Sequence, residues 1–113
     1  MRTLKLLAVL LAFGFYVPFV LAADASITIS SPADGAKLSR TEPTKIDYEV
    51  IPGPKGDHAH LYVDDKQEDV LHKLKGSDTL EALAPGKHDI CIKIVNRSHT
   101  PIGVQQCVKV SVE

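Results

Sequence analysis

Polar and apolar residues alternate along most of the chain after residue 25, and this alternation predicts β-strands. Turns rich in Pro, Gly and Asp separate the alternating segments. Seven short strands are predicted, at residues 26–30, 44–50, 57–63, 67–74, 79–83, 88–96 and 104–112. Short strands with turn signals between them favour an all-β antiparallel sandwich of about seven strands.

The strand predicted at 57–63 differs from the others in what its polar face carries. Three small or aliphatic side chains share one face, and the other face carries His58, His60 and Tyr62. Two imidazoles therefore project side by side from one strand. This pair is the main candidate for chemistry in the chain.

The first 22 residues have the pattern of a secretory signal peptide. Arg2 and Lys5 precede an apolar run at 6–20, and small or apolar residues follow it, with cleavage predicted after Ala22 or, as the next choice, Ala23. The alternative is an uncleaved membrane anchor, since the run to Ala23 is near the lower limit for spanning a bilayer. The prediction is a signal peptide at 1–22, a domain at 23–113, a periplasmic or secreted location, and no membrane attachment after cleavage.

The charge and composition of the remaining domain exclude some classes of function. The chain has 13 basic and 14 acidic residues, so removing Arg2 and Lys5 leaves a net charge of −3 with neutral His. The sequence has no clustered basic patch, so a nucleic-acid partner is not predicted. The single Met is the initiator, which excludes a Met-based site for reduced copper. Neither a nucleophile elbow around Ser98 and His99 nor a paired-carboxylate frame is present, so the prediction is that the protein is not an enzyme.

Two cysteines in an exported domain predict one disulfide, between Cys91 and Cys107. If these residues oppose each other on neighbouring strands, the register also pairs Asp89 with Lys109, Ile90 with Val108 and Ile94 with Val104. A single strand register would thus pair the two cysteines with each other, two opposite charges, and apolar residues of the buried face. The alternative is that the cysteines bind a metal beside a histidine.

The segment Leu83-Ala84-Pro85-Gly86-Lys87-His88-Asp89-Ile90 resembles the turn before the sixth strand of fibronectin type III and bacterial immunoglobulin-like domains. Together with His58-Ala59-His60 and His99-Thr100-Pro101-Ile102, it is similar to small exported bacterial immunoglobulin-like domains, many of unknown function. The resemblance implies an immunoglobulin-like sandwich for 23–113. It implies nothing specific about activity.

The stretch from Ser31 to Leu38, SPADGAKL, also resembles the opening of periplasmic copper-resistance proteins of the CopC type. Those proteins place a His at the mature N-terminus as a copper ligand. This chain would begin at Ala23-Asp24 after cleavage, so that ligand is missing. The shared opening is also compatible with a common first turn.

An immunoglobulin-like layout places the start of the third strand near the loop after the sixth, which brings His58 and His60 toward His99. A hairpin centred near Lys66 would place His72 opposite His60. Three or four imidazoles at one point suit Zn(II) or Cu(II) and bind as neutral rings, so binding should weaken below about pH 6. The predicted function is therefore a small binding domain that holds Cu(II) or Zn(II) through His58, His60 and His99, with His72 as an auxiliary ligand.

Two other interpretations use the same histidines. In one, the domain is a non-catalytic interaction or structural module, with a periplasmic protein partner, in which the histidines only order loops. In the other, the cluster senses pH.

His88 stands apart, at the place of the tyrosine corner in related folds, and a structural hydrogen bond is predicted for it. Asp57, Asp64 and Asp65 lack the spacing of a calcium loop and are attributed to turn chemistry.

Overall fold

The computed structural model describes residues 24–113, which form two β-sheets packed face to face. The predicted signal peptide at 1–22 lies outside the described residues. Eight strands are present: β1 (Ser26–Ser31), β2 (Ala36–Leu38), β3 (Thr44–Ile51), β4 (His58–Val63), β5 (Lys66–Leu71), β6 (Lys75–Leu80), β7 (Gly86–Val95) and β8 (Pro101–Val112). Within residues 24–113 there is no helix of the length and hydropathy that a membrane span requires.

One sheet has the strand order β1-β3-β6, and the other has the order β2-β8-β7-β4-β5. All pairings are antiparallel except that of β2, which runs parallel to β8. The all-β sandwich predicted from the alternation is confirmed, with β2 as an additional short strand. β4 is an inner strand of the larger sheet, so both of its edges are hydrogen-bonded.

The core lies between the two sheets and is made of alternate residues from their strands. Ile46, Leu61 and Ile92 are among the side chains with no exposed surface. Ala59, Leu61 and Val63 all belong to this core, as the alternation along β4 predicts. His58 and His60 consequently leave the strand on the opposite face of the sheet.

The disulfide joins β7 to β8 and confirms most of the predicted register. Cys91 is bonded to Cys107, so neither residue is available as a metal ligand. Asp89 pairs with Lys109, whose Nζ lies 2.8 Å from Asp89 Oδ1. Ile90 pairs with Val108, as predicted.

The register fails at the end of this hairpin. Ile92 still pairs regularly with Gln106. An irregularity then separates the Lys93–Gln105 pair from the Val95–Pro101 pair, and the predicted pairing of Ile94 with Val104 is lost. Gly103 lies in this stretch with φ +94°, a conformation that favours glycine. The irregularity adjoins the loop 96–100, which carries His99.

The strand predicted at 79–83 is displaced, because β6 runs from Lys75 to Leu80. Its less exposed positions are Gly76, Asp78 and Leu80. Only one of the three is apolar, so the alternation that marks other strands is missing here.

Candidate metal centre

Three histidine rings meet at the end of the larger sheet. Nε2 of His60 lies 3.3 Å from Nε2 of His58 and 3.0 Å from Nδ1 of His99. The candidate ligand atoms of the three residues all lie within 4.8 Å of one another. His60 is the centre of the group, since both short contacts involve its Nε2.

Two of the rings are placed by β4 itself. His58 and His60 are two residues apart, so they leave the same face of the strand. Their partners across the antiparallel ladder are Val95 and Lys93 of β7. Because β7 runs on into the loop 96–100, the same pairing brings that loop over the beginning of β4. The predicted approach of His99 to His58 and His60 is found in the structure.

Asn96 organises the loop that carries the third ring. Its side-chain Oδ1 accepts hydrogen bonds from the main-chain N–H groups of Ser98 and Thr100, at 2.9 and 3.0 Å. Its main-chain carbonyl accepts the N–H of His99, and its own N–H donates to the carbonyl of Thr100, both at 2.9 Å. His99 has φ +64°, a left-handed conformation that is uncommon outside glycine. The loop therefore holds His99 in a conformation that its sequence alone does not favour.

The rings differ in their access to solvent. His60 is 2% exposed, the side chain of His58 is 13% exposed and His99 is exposed. Burial, followed by the nearby charges of His58 and His99 when these are protonated, lowers the pKa of His60. His60 is therefore neutral at pH 7, which is the form that can bind a metal.

Asp57 contacts the outer nitrogen of His58, which is Nδ1, the ring nitrogen that is not in contact with His60. Its Oδ2 lies 2.9 Å from His58 Nδ1, and Arg97 Nε lies 3.8 Å from its other carboxylate oxygen. A carboxylate accepts hydrogen bonds, so Nδ1 of His58 is the protonated nitrogen when the ring is neutral. The Nε2 lone pair of His58 then faces His60.

Hydrogen bonding among neutral rings cannot satisfy both contacts of His60 fully. If Nε2 of His60 carries a proton, that proton can be directed at only one of the two neighbouring nitrogens. If Nε2 carries a lone pair, it faces the lone pair of His58. A single cation at the meeting point would accept all three lone pairs at once.

The spacing of the nitrogens fits such an ion. Two nitrogens bound to one ion at about 2.0–2.1 Å lie about 2.9 Å apart at a right angle and about 3.4 Å apart at the tetrahedral angle. The observed separations of 3.0 and 3.3 Å fall between these values. The group of His58, His60 and His99 could therefore hold a transition-metal ion.

His72 does not join this group, because the predicted register of the β4–β5 hairpin is wrong. The turn lies at Asp64 and Asp65, which have φ +50° and +67°, and Val63 pairs with Lys66. A further shift between Leu61 and Tyr62 places Val70 opposite His60. His72 follows the end of β5 and is exposed.

His88 has the structural role predicted for it. Its Nδ1 contacts Asp64 Oδ2, and its Nε2 lies 2.7 Å from the carbonyl oxygen of Ala84. The Asp64 carboxylate, followed by the Ala84 carbonyl, raises the pKa of His88. Asp64 also accepts the main-chain N–H of Asp89 at 2.9 Å, so this carboxylate is used within the fold.

Two residues of the site were not predicted from the sequence in these roles. Asp57 was considered only as a calcium ligand or a turn residue, although a carboxylate next to a candidate ligand is the usual partner for its outer nitrogen. Asn96 was placed only at the end of a strand. An Asn followed closely by Ser98 and Thr100 is a signal for a side-chain-stabilised turn.

Comparison with known proteins informs the fold alone. No family model and no curated protein matches the chain. Among solved structures, the chain is similar to fibronectin(III)-like modules of Clostridium thermocellum CbhA, with a TM-score of 0.64 and 17% identity over 76% of this chain and 93% of that one. The chain has a fibronectin(III)-like fold.

A second solved structure, a lytic polysaccharide monooxygenase of Jonesia denitrificans, is more distant. Its TM-score is 0.47 at 18% identity, over 74% of this chain and 61% of that one. The resemblance of residues 31–38 to copper-resistance proteins of the CopC type stays a prediction.

Proposed function

We propose that this domain binds one Cu(II) or Zn(II) ion through His58 Nε2, His60 Nε2 and His99 Nδ1. The observation that carries the proposal is the convergence of three ring nitrogens on one point, with separations of 3.0 and 3.3 Å about His60 Nε2. Imidazole nitrogens suit both metals. The buried, neutral His60 supplies the central lone pair.

The proposed role is sequestration or delivery of the ion, without a catalytic step. The Cys91–Cys107 disulfide is typical of an oxidising compartment, which supports a periplasmic or secreted location. His99 is exposed, so an ion at the cluster would be reachable from solvent or from a periplasmic protein partner. A partner of this kind would receive the ion by supplying a further ligand.

The proposal is tested by titrating the metal-free native chain and a His58→Ala plus His60→Ala variant with Cu(II) and with Zn(II), using calorimetry. The native chain should bind one equivalent, and the variant should lose that binding. His72→Ala is the matched control, because it removes an exposed imidazole outside the cluster. Equal affinity in the native chain and the double variant would overturn the proposal, provided that circular dichroism shows the same fold in both.

A second candidate is a non-catalytic interaction or structural module in which the histidines order the loop 96–100. The contact between His60 Nε2 and His99 Nδ1 favours it, since this contact ties the loop to β4. Pull-down from a periplasmic extract separates the candidates. A partner retained by the double variant, together with no metal binding by the native chain, would favour the module.

A further inference from the structure

Asp57 is held in place independently of its side chain. Its main-chain N–H donates to the carbonyl oxygen of Val95 at 2.8 Å, immediately before β4 begins. Its carboxylate is therefore presented to His58 by the same ladder that joins β4 to β7. The side chain of His58 is only 13% exposed, so its ring has few alternatives to the Asp57 contact.

We propose that Asp57 is a positioning residue that fixes the tautomer and ring orientation of His58. The carboxylate accepts the Nδ1–H, and the lone pair is left on Nε2, which lies 3.3 Å from Nε2 of His60. The consequence for metal affinity rests on the proposed function, whereas the assignment of the proton does not. Asp57 itself contacts no ion in this arrangement.

The physical argument concerns which nitrogen carries the single proton of the neutral ring. That choice is set by the hydrogen bond made at the other nitrogen. Without an acceptor at Nδ1, His58 is free to carry its proton on Nε2. Nε2 would then have no lone pair to offer an ion placed between the three rings. A carboxylate at Nδ1 also makes Nε2 more basic and a better ligand.

The environment of Asp57 limits how much of this effect is due to charge. Its side chain is 44% exposed, and Arg97 lies 3.8 Å away with a side chain that is 92% exposed. Solvent therefore screens both charges, and the hydrogen bond itself is the larger contribution. Asn at this position can still accept the Nδ1–H through its amide oxygen, whereas Ala cannot.

The experiment reads the ring nitrogens directly by ¹⁵N-resolved NMR of the metal-free protein at about pH 8. In the native chain, His58 should carry its proton on Nδ1. Asp57→Asn should keep this tautomer, and Asp57→Ala should move protons to Nε2. The control Asp65→Asn removes an exposed carboxylate beyond the far end of β4, at a residue whose φ of +67° Asn tolerates, and should change nothing.

Metal titration of the same variants gives the second measurement. Asp57→Ala should weaken Zn(II) binding by about 10–100-fold, the usual cost of losing an outer partner of a ligating His, and Asp57→Asn by less. A native His58 protonated on Nε2, or an unchanged tautomer in Asp57→Ala, would overturn the inference. Native affinity in Asp57→Ala would overturn it as well.

The two proposals can fail separately. If the native chain binds no metal but the tautomer of His58 follows Asp57, the proposed function is wrong and the assignment of Asp57 as a positioning residue stands. If the native chain binds metal and neither the tautomer nor the affinity responds to Asp57→Ala, the function stands and the positioning role is wrong.

Discussion

His60 and His88 show how the same residue type takes opposite roles in one domain. At His60, burial and two neighbouring rings lower the pKa, so the ring stays neutral and one nitrogen keeps a lone pair. Its Nδ1 is buried and has no hydrogen-bond partner within residues 24–113. At His88, a carboxylate and a carbonyl accept from the two ring nitrogens, which favours the charged imidazolium and raises the pKa. The partners of each ring thus distinguish the proposed metal ligand His60 from the structurally paired His88.

His88 gives a prediction about pH and stability. Its pKa is higher in the folded chain than in the unfolded chain, so its contribution is present below about pH 6.5 and is lost as pH rises through the folded value. His88→Gln should therefore destabilise the metal-free domain more at about pH 5 than at about pH 8. Urea unfolding of both chains at the two pH values measures this, with His72→Gln as the control. An equal loss at both pH values would contradict it.

At the scale of elements, the proposed metal centre depends on a strand and a loop that are ordered by different means. β4 is fixed on both sides by β5 and β7, and its two histidines need only the alternation of a strand. The loop 96–100 depends instead on four hydrogen bonds of Asn96, which hold His99 at positive φ. We therefore expect the loop to be the part of the site that is most sensitive to mutation.

Asn96→Ala should disorder this loop and weaken metal binding. The loss of the two bonds to Asn96 Oδ1 should cost about 1–3 kcal/mol, because each hydrogen bond contributes a net of about 0.5–1.5 kcal/mol. Asn96→Asp keeps an acceptor at the same place and should retain most of the affinity. Zn(II) calorimetry and thermal unfolding check both variants. Native affinity in Asn96→Ala would show that the loop does not need this side chain.

Sequence reasoning located part of the site and missed part of it for physical reasons. The faces of β4 could be predicted because buried and exposed positions alternate, and the approach of His99 could be predicted from the strand order that the resemblance implies. The position of His72 could not, since the turn lies at Asp64 and Asp65 instead of near Lys66, and Val70 is therefore opposite His60. The predicted position of β6 was wrong because Gly76 and Asp78, which are not apolar side chains, occupy its less exposed positions.

At the scale of the whole molecule, the two sheets are held together by the core and the larger sheet is also cross-linked. The sixteen-residue separation of Cys91 and Cys107 corresponds to about 3 kcal/mol of stabilisation in the chain-entropy model.

Asp78 of β6 and Asp69 of β5 belong to different sheets and interact with each other. Burial, followed by the hydrogen bond and the charge of Asp69, raises the pKa of Asp78 to about 6. We therefore expect the stability of the folded domain to depend on pH.

Asp78→Asn should flatten that dependence. Because the pKa of Asp78 is raised on folding, protonation stabilises the folded chain below about pH 4, and this contribution is lost as pH rises through about 6. The metal-free variant should therefore be at least as stable as the native chain at pH 7 and should gain less on acidification. Denaturant unfolding between about pH 4 and pH 7 measures this, with Asp65→Asn as the control. A variant that is less stable than the native chain at pH 7 would contradict it.

The most direct measurement for the proposed metal centre is a Zn(II) titration followed at the histidine ring nitrogens by ¹⁵N NMR. One equivalent of Zn(II) should move the signals of His58 Nε2, His60 Nε2 and His99 Nδ1 together to positions typical of metal-bound nitrogen. The signals of His72 and His88 should stay in place. Ring signals of His58, His60 and His99 that do not change at one equivalent, or an ion bound by other residues, would contradict the shared site.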